Sequence, residues 1–159
     1  MTAEERIHLL QSMPFFGAIN EASVALILGQ SKTINLTAGE YFFHQDEQGD
    51  SLFLIEQGRS VVFKKHENKE YILRHAEHGD CFGELALIDF SPRSASVRAE
   101  TDCTAIEIPS SALHSLFQQN PEQFLIIQMN MGREVSRRLR ASDNRWFQLQ
   151  IANSNTLSF

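Results

Sequence analysis

Cys81-Phe82-Gly83-Glu84-Leu85-Ala86-Leu87-Ile88-Asp89-Phe90-Ser91-Pro92-Arg93-Ser94-Ala95-Ser96-Val97 interrupts the strand-like pattern on both sides of it and carries most of the chemistry of the chain. Gly83 permits a tight turn or the close approach of a ligand to the backbone. Glu84 to Ile88 predict one or two helical turns, which Ser91-Pro92 ends. The first turn of such a helix offers N–H groups without intrahelical acceptors and a positive dipole end, which suits a phosphate. Arg93 then opens the next strand. Its planar fork can make two charge-assisted hydrogen bonds to one phosphodiester. An ionised Glu84 only accepts hydrogen bonds, so it suits a sugar hydroxyl rather than a phosphate.

On either side of this segment the period is that of strands. Upstream, Ile34 and Leu36 alternate with polar residues, Tyr41-Phe42-Phe43 follows the turn signal Ala38-Gly39, and Leu52 to Ile55, Val61 to Phe63 and Tyr71 to Leu73 follow. Lys64 to Glu70 reads as a solvated hairpin tip. Downstream, Ala95, Val97 and Ala99 face one way, as do Ile106 and Ile108. Short strands with turns between them predict an antiparallel sandwich or barrel. Gly39, Gly49, Gly58 and Gly79 are read as turn requirements. Phe15, Phe16, Phe42, Phe43 and Phe53 are read as core.

Helices frame the strands. Residues 3–12 predict a first helix stopped at Pro14, and Asn20 an N-cap for a second carrying Val24, Ile27 and Leu28. Ser110 is read as the N-cap of a later helix. Asn120-Pro121-Glu122-Gln123 combines a cap, Pro at the first position and Gln three residues past the cap, which starts a long helix to about residue 150. The expected organisation is an N-terminal helical segment at 1–31, a β roll at 32–109 with its ligand loop at 82–97, C-terminal helices at 110–150, and a frayed tail at 151–159.

The totals narrow the function. The formal charge is -6, from 14 basic and 20 acidic side chains, which argues against a nucleic-acid binder. A few well-placed donors can still hold a small anion. Cys81 and Cys103 stand far apart in no metal-like spacing. No signal-peptide or membrane-spanning run is present, so a cytoplasmic location and no membrane role are expected.

Phe82-Gly83-Glu84-Leu85-Ala86-Leu87, four residues, then Pro92-Arg93-Ser94-Ala95-Ser96-Val97 resembles the phosphate-binding cassette of cyclic nucleotide-binding domains. That family includes the bacterial cyclic AMP receptor proteins and the regulatory subunits of cyclic AMP-dependent protein kinase. Pro14-Phe15-Phe16, Ala38-Gly39-Glu40, Gly49-Asp50-Ser51-Leu52-Phe53-Leu54-Ile55, Gly58 and Gly79-Asp80 extend the resemblance over roughly residues 13 to 140. It implies an eight-stranded antiparallel β roll of jelly-roll type with flanking helices. It implies that Gly83, Glu84 and Leu85 line the ligand, with Glu84 on the ribose 2′-hydroxyl. Arg93 would pair with the cyclic phosphate and Ser94 add a hydrogen bond, with Ala86 and Ala95 as small neighbours. The implied ligand is cyclic AMP, with cyclic GMP as the alternative, and no metal is implied.

In this family the long C-terminal helix closes over the base and often forms a dimer. Here Leu125, Gln128, Gly132, Val135, Leu139, Ser142, Trp146 and Leu149 make a mixed heptad-like series that allows a homodimer. Arg133, Ser136 and Trp146 are candidates for a lid over the base, within a basic patch that also holds Arg137, Arg138 and Arg140. Too few residues follow residue 150 for a helix-turn-helix unit, so DNA binding by this chain is not expected. The resulting reading is a non-enzymatic, stand-alone sensor that signals to a protein partner.

Three alternatives remain at this point. Glu84 pairs with Arg93 in an empty site, Arg93 is a surface arginine capping the turn, or the roll is a degenerate interaction module. A cupin-like metalloenzyme is weaker still, because His44, His75 and His78 lack the spacing that puts two imidazoles on one strand face.

Overall fold

The computed structural model describes residues 1–157. Helix α1 (Ala3–Gln11) starts at Thr2, which accepts from Glu5 N while the Glu5 carboxylate accepts from Thr2 N, a complete capping box. A single 3₁₀ turn (Pro14–Phe16) and α2 (Glu21–Gly29) follow, the latter capped by the Asn20 side chain on Ser23 N. Eight strands come next: β1 (Lys32–Leu36), β2 (Tyr41–Phe43), β3 (Ser51–Gln57), β4 (Ser60–His66), β5 (Lys69–Ala76), β6 (Cys81–Phe82), β7 (Ser96–Ala99) and β8 (Cys103–Pro109). Helix α3 (Leu85–Asp89) lies between β6 and β7, and α4 (Ser110–Gln119) and α5 (Pro121–Leu157) close the chain.

The strands form two antiparallel four-stranded sheets, ordered β1-β8-β3-β6 and β2-β7-β4-β5. Glu67 and Asn68 both take left-handed φ between the paired His66 and Lys69, so the hairpin expected over Lys64 to Glu70 turns on two residues and the rest of that stretch is paired strand. Strand β3 is buried on both faces, and its alternation divides the core. Leu52 and Leu54 face the helices with Leu10, Phe16, Ile108 and Leu116, while Phe53 and Ile55 face the roll interior with Phe43, Phe82 and Val97. Of the phenylalanines expected in the core, Phe15 and Phe16 are buried under the helices, Phe43 and Phe53 are buried inside the roll with Phe82, and Phe42 is partly buried against them.

Three local expectations change. The N-cap position of α4 is Pro109, which makes no side-chain cap, rather than Ser110, because Ser110 is already helical; the Ser110 N–H donates to Asp50 O at 2.7 Å. Asn120 does cap α5, accepting from Gln123 N, but Gln123 Oε1 accepts from Asn20 N at 2.8 Å and so ties α5 to the start of α2. Helix α5 continues past residue 150 to Leu157, since no Gly or Pro stands between Arg133 and Leu157 to stop it. Residues 158 and 159 of the expected tail lie outside the described residues.

The two halves of α5 differ. Ile127 and Met131 are buried, and Asn130 donates to Phe15 O (3.1 Å) and Gly17 O (2.8 Å), fixing the first half to the 3₁₀ turn. Residues 136–155 are exposed throughout.

Candidate functional site

A cavity of about 180 Å³ opens between β4, β5, β6, α3 and the segment leading into β7. Gly83, Glu84, Leu85, Ala86, Arg93, Ser94 and Ala95 all line it, together with Phe43, Arg74 and Arg138. A more open groove of about 620 Å³ runs between α3, α4 and α5, but no carboxylate, lysine or arginine lines it. Charge is concentrated in the smaller cavity.

Arg93 is fixed at both ends. Its backbone N–H donates to Glu47 O and its C=O accepts from Asp46 N, both at 2.8 Å, so the β2–β3 loop pins the main chain. Its guanidinium turns inward with only 5% of the residue exposed. Nη1 donates to Gly83 O at 3.0 Å, Nη2 lies 3.4 Å from Ser51 Oγ, and the Phe43 ring centroid is 4.2 Å from Cζ. Among the described residues no carboxylate comes within ion-pair distance of this cation, and its buried Nε–H has no hydrogen-bond partner. Burial lowers its pKa from the ordinary arginine value, a cost only partly offset by the more distant Asp50, Glu107 and Glu47. Arg93 is thus no surface arginine. It is a desolvated cation with donor capacity to spare, facing a cavity.

Glu84 is 2% exposed and precedes α3 without capping it. Its carboxylate does not pair with Arg93. It pairs with Arg138, which reaches in from α5. Arg138 also approaches Cys81 and Arg74, and Arg74 Nη2 donates to Cys81 O at 3.1 Å. Burial pushes the Cys81 thiol up to about 11, so it is neutral near pH 7. Ala86 and Ala95 are buried, and Leu85 and Ser94 stay exposed at the mouth.

The proposed lid residues do not reach this cavity. Arg133 donates to Asn130 Oδ1 at 2.9 Å, Ser136 is exposed, and Trp146 is 63% exposed farther along α5. Arg138 lines the cavity instead. Helix phase carries that signal: Ile127, Met131, Glu134 and Arg138 recur at 4-3-4 spacing on the face turned to the roll, whereas the heptad series follows the outer face. Gly49 is the other residue misread. It has no left-handed φ, and a Cβ built on it would lie 2.4 Å from Arg93 Nε.

The histidines stand apart. His44 faces Glu47, His75 faces Glu100, and His78 Nδ1 lies 2.6 Å from Glu56 O. Among the described residues no group of three or more His, Cys, Asp or Glu is placed to hold a metal ion, and no helix is long and apolar enough to cross a membrane.

The chain is similar to known proteins. The regulatory subunit of cAMP-dependent protein kinase from Emericella nidulans is 38% identical over 93 residues, which is 58% of this chain and 22% of that protein. A CRP-like cAMP-activated global transcriptional regulator of Mycobacterium tuberculosis is 27% identical over 137 residues, 86% of this chain and 59% of the regulator. The chain therefore spans only part of the length of the curated relatives it matches. The crystal structure of Thermus thermophilus catabolite activator protein superposes with a TM-score of 0.75 at 27% identity, covering 86% of this chain and 63% of that one. The family model for the cyclic nucleotide-binding domain matches residues 33–120, a span that runs from the second residue of β1 through β8 and holds the Gly83–Ala95 loop and the buried Arg93. With more than half its length matched, this chain belongs to the cyclic nucleotide-binding domain family.

Proposed function

We infer that this chain is a cyclic nucleotide sensor that takes cyclic AMP and passes its state on through α5. The observation that carries the reading is Arg93, a buried guanidinium that lines the cavity and has no carboxylate partner. A cyclic phosphate supplies the missing anion. Glu84 accepts from the ribose 2′-hydroxyl, Ser94 adds a bond at the mouth, and Gly83, Leu85, Ala86 and Ala95 give the close walls. Cyclic AMP is favoured because the two relatives are named for it. We assign the sensing unit to residues 32–109, with its cassette at 82–97, and the output to the helices from 110 onward.

The output follows from Glu84. A carboxylate that turns to a ribose hydroxyl loosens its hold on Arg138, and Arg138 belongs to α5. The nucleotide thus favours one seating of α5 over another, which requires a difference in its affinity for the two seatings. The exposed half of α5 gains little from burial within the chain, and packing of an apolar face is the main source of helical stability in proteins. Leu125, Leu139, Trp146 and Leu149 are more than half exposed along its outer face and suit a second copy or an output partner. The reading places the protein in the cytoplasm as a regulator without catalysis.

Calorimetric titration of the folded protein with cyclic AMP and cyclic GMP tests this. Saturable binding, tighter for cyclic AMP, is expected. No heat with either nucleotide would leave the Glu84–Arg138 pair as a permanent closure of the site and make the roll an interaction module.

A further inference from the structure

We propose that Gly49 is a positioning residue of the anion site: its missing side chain is the slot that holds the Arg93 guanidinium. A Cβ built on Gly49 would lie 2.4 Å from Arg93 Nε, 2.5 Å from Nη2 and 2.6 Å from Cζ, closer than real Cβ contacts come. The backbone does not demand glycine there, because Gly49 lies outside the left-handed φ range. Gly39 and Gly79 show the opposite case. Both have left-handed φ, and a Cβ on either would meet nothing within 4 Å.

The guanidinium has no easy retreat. A Cβ on Gly83 would come within 2.8 Å of Nη1, and the Phe43 ring lies 4.2 Å from Cζ. The Arg93 main chain is tied to Asp46 and Glu47, in the same loop that carries Gly49. Loop and arginine form one rigid unit, so a methyl group at 49 moves the head group rather than the chain. Displacement breaks the Nη1–Gly83 O bond and turns the two-pronged face of the cation away from the cavity.

The inference rests on the reading of Arg93 as the phosphate partner only where nucleotide affinity is concerned. The slot belongs to the ligand-free protein and is tested there first. In a cycle of Gly49→Ala, Arg93→Ala and the double variant, Gly49→Ala is expected to lower the melting midpoint when Arg93 is present and to leave it unchanged or raise it when Arg93 is truncated. An equal penalty in both backgrounds, or none in either, overturns the slot.

The second readout is cyclic AMP affinity. Gly49→Ala is expected to weaken it about tenfold or more while the protein stays folded. Arg93→Lys weakens it too, but the ammonium is slimmer than the fork, so adding Gly49→Ala to Arg93→Lys costs no more than about twofold further. Additive losses contradict the proposal. If the unaltered protein binds no cyclic nucleotide, the sensor reading fails and the melting cycle alone decides the slot.

Discussion

Two arginines five residues apart, Arg93 and Arg98, sit in opposite electrostatic surroundings. Arg98, in β7, holds Glu70 with two hydrogen bonds of 2.8 and 2.9 Å, bonds Tyr41 Oη, and lies 4.6 Å above the Phe63 ring. Its pKa is raised, chiefly by the bonds to Glu70. Arg93, just before β7, is more deeply buried and has a lowered pKa, no carboxylate and an orphaned N–H. Folding left the more deeply buried of the two cations incomplete. An arginine whose needs are met within the chain is structural. We read one that is desolvated and left short of an anion as built for a partner that arrives later.

The largest effect expected from breaking this contrast is that of Arg93→Ala on nucleotide affinity. Two charge-assisted hydrogen bonds at about 1.5–3 kcal/mol each correspond to a loss of about 10²–10⁴-fold. Because the cation has no internal counter-ion, the ligand-free variant should melt no lower than the parent. A large fall in melting point with unchanged affinity would make Arg93 structural.

Arg138→Ala comes next. It frees Glu84 from its competitor, so cyclic AMP should bind several-fold more tightly. The ligand-free protein should lose about 1–3 kcal/mol of stability, because Glu84 then stands buried without a partner. Weaker binding would show instead that Arg138 holds the ligand directly. Differential scanning fluorimetry with and without nucleotide separates the two outcomes.

The smallest effect sharpens the comparison from the other side. Arg98→Ala should leave affinity at the parent value and lower the melting point slightly, with the difference shrinking at high salt. A loss of nucleotide affinity comparable to that of Arg93→Ala would erase the distinction between the two sites.

The strands, the short helix after Gly83 and the flanking helices were readable because they rest on local signals: period-two alternation, the charged stretch from Lys64 to Glu70 between two apolar runs, and Asn and Pro at helix starts. The cassette was readable because glycine, glutamate and arginine stand at fixed offsets within one segment. Arg138 and Gly49 were harder, since each matters through a contact across the fold, with Glu84 and with the Arg93 head group. For Arg138 the phase of Ile127 and Met131 would have pointed inward, whereas a heptad frame through Leu125 and Trp146 selected the outer face. For Gly49, sequence gives no way to separate a glycine needed for φ from one needed for space. The end of α5 was set too early because residues near a chain terminus read as fraying, although no Gly or Pro stands there.

The central claim, that Arg93 is held in wait for a phosphate while Arg98 is spent on the fold, is met most directly by titrating cyclic AMP into three folded proteins: the parent, Arg93→Ala and Arg98→Ala. Binding retained by the parent and Arg98→Ala but lost by Arg93→Ala is the predicted result. Equal affinity in all three, or loss in both variants alike, would contradict it.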